Sequence, residues 1–209
     1  MTPRKISSAE IRQIVADYLP FFPGWKVIGG DKLLRVDGLI GQSIWFDRLR
    51  TGAYRPVSRV HVWVAPGPGE GSLVLAQVLD IKNREVAFQS HAQQLRSVVD
   101  ALKSEIVPSV VKPLDAKTVA ELLASQACGR PADTYALACL LAALGRSEEA
   151  RGCIAHYHEA LRLLELPFNA LDRDRAEYLA KVETWMKQST AVVELRAVAE
   201  SEKAKLALL

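Results

Sequence analysis

Apolar positions recur at helical spacing near the start of the chain. Ile11, Ile14, Val15, Tyr18 and Leu19 form one stripe. Ser7 and Glu10 precede it at capping-box spacing: the serine oxygen can accept from the Glu10 amide, and the carboxylate can reach back. Pro20 and Pro23 end this helix. The period then shortens to two. Trp25 to Ile28 and Lys32 to Val36 read as strands around a Gly29-Gly30-Asp31 turn, and Asp37-Gly38 marks a tight hairpin. From Leu39 to Leu49, Ile40, Gln42, Ile44 and Phe46 share one face while Ser43, Trp45 and Asp47 take the other. Thr51 to Pro56 reads as a loop. Val60, Val62 and Val64 alternate with Arg59, His61 and Trp63 in the next strand. Turns this short join antiparallel neighbours.

Beyond the Gly/Pro-rich stretch Ala65 to Ser72, the run Leu73 to Leu79 fits a strand or the start of a helix. Leu95, Val98, Val99, Leu102 and Ile106 then mark one side of a helix between Phe88 and Val107. Helical patterns follow from Asp115 to Gly129, from Ala132 to Leu144, from Ser147 to Leu164, from Asp172 past Met186, and from Val192 to Leu209. Strands in one block and helices in another disfavour a parallel βαβ sheet. The expected fold class is α+β: an N-terminal helix with an antiparallel β-meander over residues 1–110, then an all-helical half over residues 111–209.

Composition narrows the class. The chain has 209 residues, 49% hydrophobic and 24% charged, enough to bury a core and too apolar for disorder. A net charge of +3 does not by itself imply nucleic acid, so charge matters only where it is concentrated. No stretch approaches the ~20 apolar residues that span a bilayer. The start, Met1 to Ser8, is polar and basic with no apolar signal core behind it. The expectation is a cytoplasmic protein without a membrane partner. Cys128, Cys139 and Cys153 are odd in number, sit in helical patterns and lack C-x-x-C spacing, which reads as reduced, buried thiols rather than zinc ligands.

Charge is concentrated between Trp45 and Arg59. Arg48, Arg50, Arg55 and Arg59 stand there with the single acid Asp47, flanked by Trp45, Tyr54 and Trp63. Guanidinium groups offer planar, paired donors and stack on aromatic rings, so this stretch can grip carboxylates or phosphates. The plainer alternative is a solvated hairpin whose arginines cover the open face of the sheet. Between partners, an acidic protein is expected ahead of nucleic acid, because no lysine-rich tract extends the patch.

Other motifs fall short of chemistry. Gly67-Pro68-Gly69-Glu70-Gly71 lacks both the dinucleotide fingerprint and a following Gly-Lys-Ser/Thr, and reads as a loop. His156 and His158 lie two apart in a helical pattern and so point to different sides. Asp80, Lys82 and Glu85 echo a metal-nuclease arrangement without its E-x-K half, and no nucleophile elbow is present. No cofactor, metal or catalytic residue is expected. A hydrolase assembled from His61 or His91 with distant carboxylates and hydroxyls remains the enzymatic alternative.

Two resemblances complete the picture. The pattern A-x-x-L-L-x-x-L-G-R-x-E-E-A between Tyr135 and Ala150 resembles one tetratricopeptide-type helical hairpin. Leu33 to Phe46, with its Gln-x-Ile strand, resembles the strand core of bacterial DUF4304-like α+β domains. Those domains open with a helix, continue into an antiparallel meander and occur near toxin–immunity systems. The resemblance implies a bacterial, non-enzymatic binding module, of the immunity type that occludes a partner.

Overall fold

The computed structural model describes residues 5–64, 85–126, 131–153 and 155 of the chain, and the backbone of strand 72–78. The histidines at 156 and 158, Cys128, the Gly/Pro loop at 67–71, Asp80, Lys82 and the helices expected beyond 155 lie outside the described residues.

Helix α1 spans Ser8–Tyr18. Its capping box is formed: the Glu10 amide donates to Ser7 Oγ at 3.2 Å, and the Ser7 amide donates to Glu10 Oε2 at 2.8 Å. Pro20 falls in a 3₁₀ turn, Leu19–Phe21, that ends the helix. Five strands then form an antiparallel meander: β1 Lys26–Ile28, β2 Lys32–Asp37, β3 Ile40–Arg48, β4 Ala53–Val62 and β5 Ser72–Val78, in that spatial order. A two-residue strand β6, Val86–Ala87, pairs antiparallel with β4 at Ala53 and Tyr54. The run from Leu73 is therefore a strand. A 3₁₀ turn, Phe88–Ser90, leads into α2, His91–Glu105.

The β2–β3 register follows from its turn. Asp37 pairs with Ile40, so the hairpin loop is only Gly38-Leu39, and Gly38 takes φ +55° there, a conformation that favours glycine. Counting back, Lys32 stands opposite Trp45.

Period-two alternation divides the sheet. Leu33, Ile44, Phe46, Tyr54 and Val86 face a core completed by Ile11, Ile14, Val15 and Tyr18 of α1 and by Val98, Val99 and Leu102 of α2. Each fully buried aliphatic side chain there contributes about 1.5–3 kcal/mol. The opposite sheet face carries Lys32, Ser43, Trp45, Asp47, Arg55, Arg59 and His61. Beyond α2, the chain is tied back to the sheet. Arg35 donates to Gln42 Oε1 at 2.6 Å, to Val110 O at 3.3 Å and to Val111 O at 3.2 Å, while Gln42 Nε2 donates to Ser109 O at 2.9 Å.

The chain divides into two compact units, one from residues 1–61 and 73–115 and the other from residues 62–72 and 116 onward. The second unit is helical where described. α3 spans Ala116–Gln126 and α4 spans Pro131–Ala143. Every residue of α4 from Ala136 to Ala142 is buried, so this helix has no solvent stripe along that stretch. It closes in a Schellman turn. The Gly145 amide donates to Ala142 O, the Arg146 amide donates to Leu141 O, and Gly145 sits at φ +78°. A further helix starts at Ser147, and buried Ala150 lies in it. Two helices around a glycine turn thus occupy the stretch between Tyr135 and Ala150.

Candidate functional site

Strand β3 sits between β2 and β4, and Trp45 projects from it on the face away from α1 and α2. Lys32 of β2 brings its Nζ to 4.5 Å from the indole centroid, and Arg59 of β4 brings its guanidinium carbon to 4.2 Å. The ring is therefore flanked by a cation from each neighbouring strand, an arrangement worth about 0.5–2 kcal/mol per pair depending on solvent exposure. The indole Nε1–H donates to Ser43 Oγ at 2.8 Å, and His61 Nε2 lies 2.7 Å from the same oxygen. Further along the row, Arg55 Nη2 approaches Asp47 Oδ2 at 4.0 Å, with both side chains about one-third exposed. The buried Nε–H groups of Arg55 and Arg59 meet no hydrogen-bond acceptor among the described residues. The face is cationic and aromatic.

The residues singled out from sequence are dispersed by this geometry. Trp45, Arg55 and Arg59 share the row. Arg48 and Arg50 are exposed at the hairpin end, where Arg48 Nη1 donates to Ser8 Oγ at 3.2 Å. The connection is shorter than expected: Leu49 N donates to Ala53 O, and Ala53 to Pro56, read as loop, belong to β4. That shift corrects the placement of Tyr54. It is fully buried on the core face and cannot touch a partner. Trp63 lies half-buried in the turn after β4, within the second unit. Lys32 was missed, although the two-residue Gly38-Leu39 turn already places it opposite Trp45.

Sequence reasoning also missed a polar chain inside the first unit. Gln13 Nε2 donates to Asp17 Oδ1 at 2.8 Å, Asp17 Oδ2 lies 3.2 Å from His91 Nε2, His91 Nδ1 lies 2.8 Å from the Tyr54 hydroxyl, and that hydroxyl lies 2.9 Å from the Tyr18 hydroxyl. Carboxylate, imidazole and hydroxyl stand in the order a nucleophilic triad uses. The hydroxyls at its inner end are those of Tyr54 and Tyr18, both 0% exposed. Burial pushes both phenols well above their usual range, so neither supplies an accessible oxyanion at neutral pH. The second imidazole–hydroxyl pair, His61 with Ser43, is equally enclosed at 1% and 0% exposure.

Among the described residues no group of three or more His, Cys, Asp or Glu side chains is placed to hold a metal ion, and no helix is long and apolar enough to cross a membrane. Cys139 is buried, which pushes its thiol up to about 12, and Cys153 is half-buried and in no disulfide. The sequence matches no protein-family model, no curated protein and no solved structure.

Proposed function

We propose that this protein is a non-enzymatic module that binds an acidic protein partner through the half-buried Trp45, Arg55 and Arg59 of strands β3 and β4. The observation that carries the reading is the half-buried indole flanked by a cation from each neighbouring strand. An aromatic anchor supplies contact area, and guanidinium groups orient and steer an acidic surface. Arg48 and Arg50 at the exposed hairpin end extend the field that steers it.

Burial of both imidazole–hydroxyl pairs supports holding over transforming, because a substrate carbonyl or phosphoryl group needs an accessible nucleophile. The resemblance of the Leu33 to Phe46 strands to DUF4304-like domains supports a finer version: a bacterial, cytoplasmic, immunity-type protein that inhibits its partner by occlusion.

Immobilised poly-L-glutamate and oligothymidylate, probed with the full chain at low and moderate salt, test the class of partner. The reading expects capture on poly-L-glutamate that weakens with salt. Tighter capture on oligothymidylate, with the steep salt slope of phosphate neutralisation, replaces it with the nucleic-acid alternative.

A further inference from the structure

The segment between α2 and α3 is fastened to the first unit by two side chains. Arg35 of β2 and Gln42 of β3 stand opposite each other in register, on the same side of the sheet as Leu33 and Ile44. Between them they donate to three successive backbone carbonyls. Gln42 Nε2 reaches Ser109 O at 2.9 Å, Arg35 Nη2 reaches Val110 O at 3.3 Å, and Arg35 Nη1 reaches Val111 O at 3.2 Å. Arg35 Nη2 also donates to Gln42 Oε1 at 2.6 Å, and the guanidinium lies over Trp25, so the pair acts as one clasp. Among the described residues, no backbone hydrogen bond joins Ser109, Val110 or Val111 to a strand.

Burial shows where this segment can hinge. Ile106 and Leu114 are buried at its two ends, and Val110 alone is buried between them. Val107 and Val111 are 64% and 52% exposed, so opening withdraws one apolar side chain from the core. That core also holds Trp25, Leu102 and Ile106. A segment with one buried side chain and carbonyls bonded only through side chains sits at the low end of local stability, below a strand ladder.

We infer that residues 107–113 form a strap that opens while the rest of the first unit stays folded, and that Arg35 and Gln42 set how often it does so. Closed, the strap covers the seat of Val110. Open, it bares that apolar seat and releases the valine-bearing stretch itself. The clasp lies on the opposite sheet face from Trp45, so this device is separate from the binding of an acidic partner.

The test is brief exposure of the full-length protein to thermolysin, which cuts before large apolar residues. Mass spectrometry scores the cuts at Ser109–Val110 and Val110–Val111. Where closing outpaces cutting, their rate follows the population of the open strap. In the wild type that rate is expected to be insensitive to low urea, because opening exposes little surface. Arg35→Met and Gln42→Leu are each expected to speed the cuts about 5-fold or more, the equivalent of one lost hydrogen bond. Tyr18→Phe weakens the same unit away from the strap and is expected to leave the rate unchanged. Gln42→Leu, checked for a retained melting transition, carries the test where Arg35→Met does not fold. Cutting that Tyr18→Phe speeds as much as the clasp variants do overturns the inference, because the segment is then exposed only by unfolding of the whole unit. Unchanged rates in both clasp variants overturn it as well.

Discussion

The Tyr54 hydroxyl lies 2.8 Å from Nδ1 of His91, and that contact fixes the direction of the buried chain. Asp17 only accepts, so the proton on Nε2 of His91 faces it. In the neutral ring Nδ1 is then an acceptor, and Tyr54 donates to it. Tyr18 in turn donates to the Tyr54 oxygen.

This direction makes two similar substitutions unequal. Tyr18→Phe removes one donor and leaves Tyr54 paired with His91, at a cost of about 1 kcal/mol. Tyr54→Phe orphans the Tyr18 hydroxyl and the His91 nitrogen together, at about 2–3 kcal/mol. Denaturant midpoints of the two variants check the order. Equal losses mean that the donors do not run from Tyr18 to His91.

The same tyrosines govern alkaline stability. Desolvation by burial raises both phenols above their usual range, with Tyr18 raised further by its neighbour Tyr54. In the unfolded chain they ionise near pH ~10. The folded state therefore binds more protons than the unfolded state above that pH. The stability they contribute is full below pH ~10 and falls as pH rises toward the folded values, by about 1.4 kcal/mol per pH unit for each tyrosine. Unfolding between pH 9 and 11.5 is expected to show this slope, and Tyr18→Phe is expected to lose one proton's share of it. A flat profile contradicts the account.

Arg35 is expected to control the segment after α2. It lies over Trp25 at 5.0 Å while donating to Gln42, Val110 O and Val111 O. Arg35→Met keeps the stem and removes the donors. The expected cost is about 1–2 kcal/mol, with faster amide exchange at Val110 and Val111. Unchanged exchange there shows that Gln42 alone holds the segment.

In the helical unit, Gly145→Ala tests the turn. A Cβ at this position meets nothing within 4 Å, so crowding is not the issue; the backbone at φ +78° is. The expected loss is about 1 kcal/mol, and Gly145→Asn, which tolerates this region better, is expected to recover part of it. Melting of the two variants distinguishes backbone strain from packing.

Much of the fold was legible because short-range signals agreed. Ser7 and Glu10 marked the first helix, and Ile40, Gln42, Ile44 and Phe46 separated from Ser43, Trp45 and Asp47 by period alone. The run from Leu73 was ambiguous because a short apolar stretch fits either period. Tyr54 was misplaced because Pro56 suggested a loop, whereas the strand begins at Ala53 and carries the proline within it. One residue's parity then sent the tyrosine inward. The cationic row was half legible. Arginines and tryptophan were visible as a cluster, but Lys32 joins them only through strand register. The Asp17–His91–Tyr54 chain joins α1, α2 and β4, and no local pattern announces a contact between residues tens of positions apart.

The central claim is that Arg55 and Arg59, with Trp45 between cations, form the seat for an acidic partner. Isothermal titration of soluble poly-L-glutamate into the Arg55→Ala/Arg59→Ala double variant measures it most directly, with Arg48→Ala/Arg50→Ala as the comparison at the hairpin end. The row variant is expected to lose about 10-fold or more in affinity, while the hairpin-end variant loses less and mainly blunts the salt dependence. Equal affinity of the row variant and the wild type contradicts the claim.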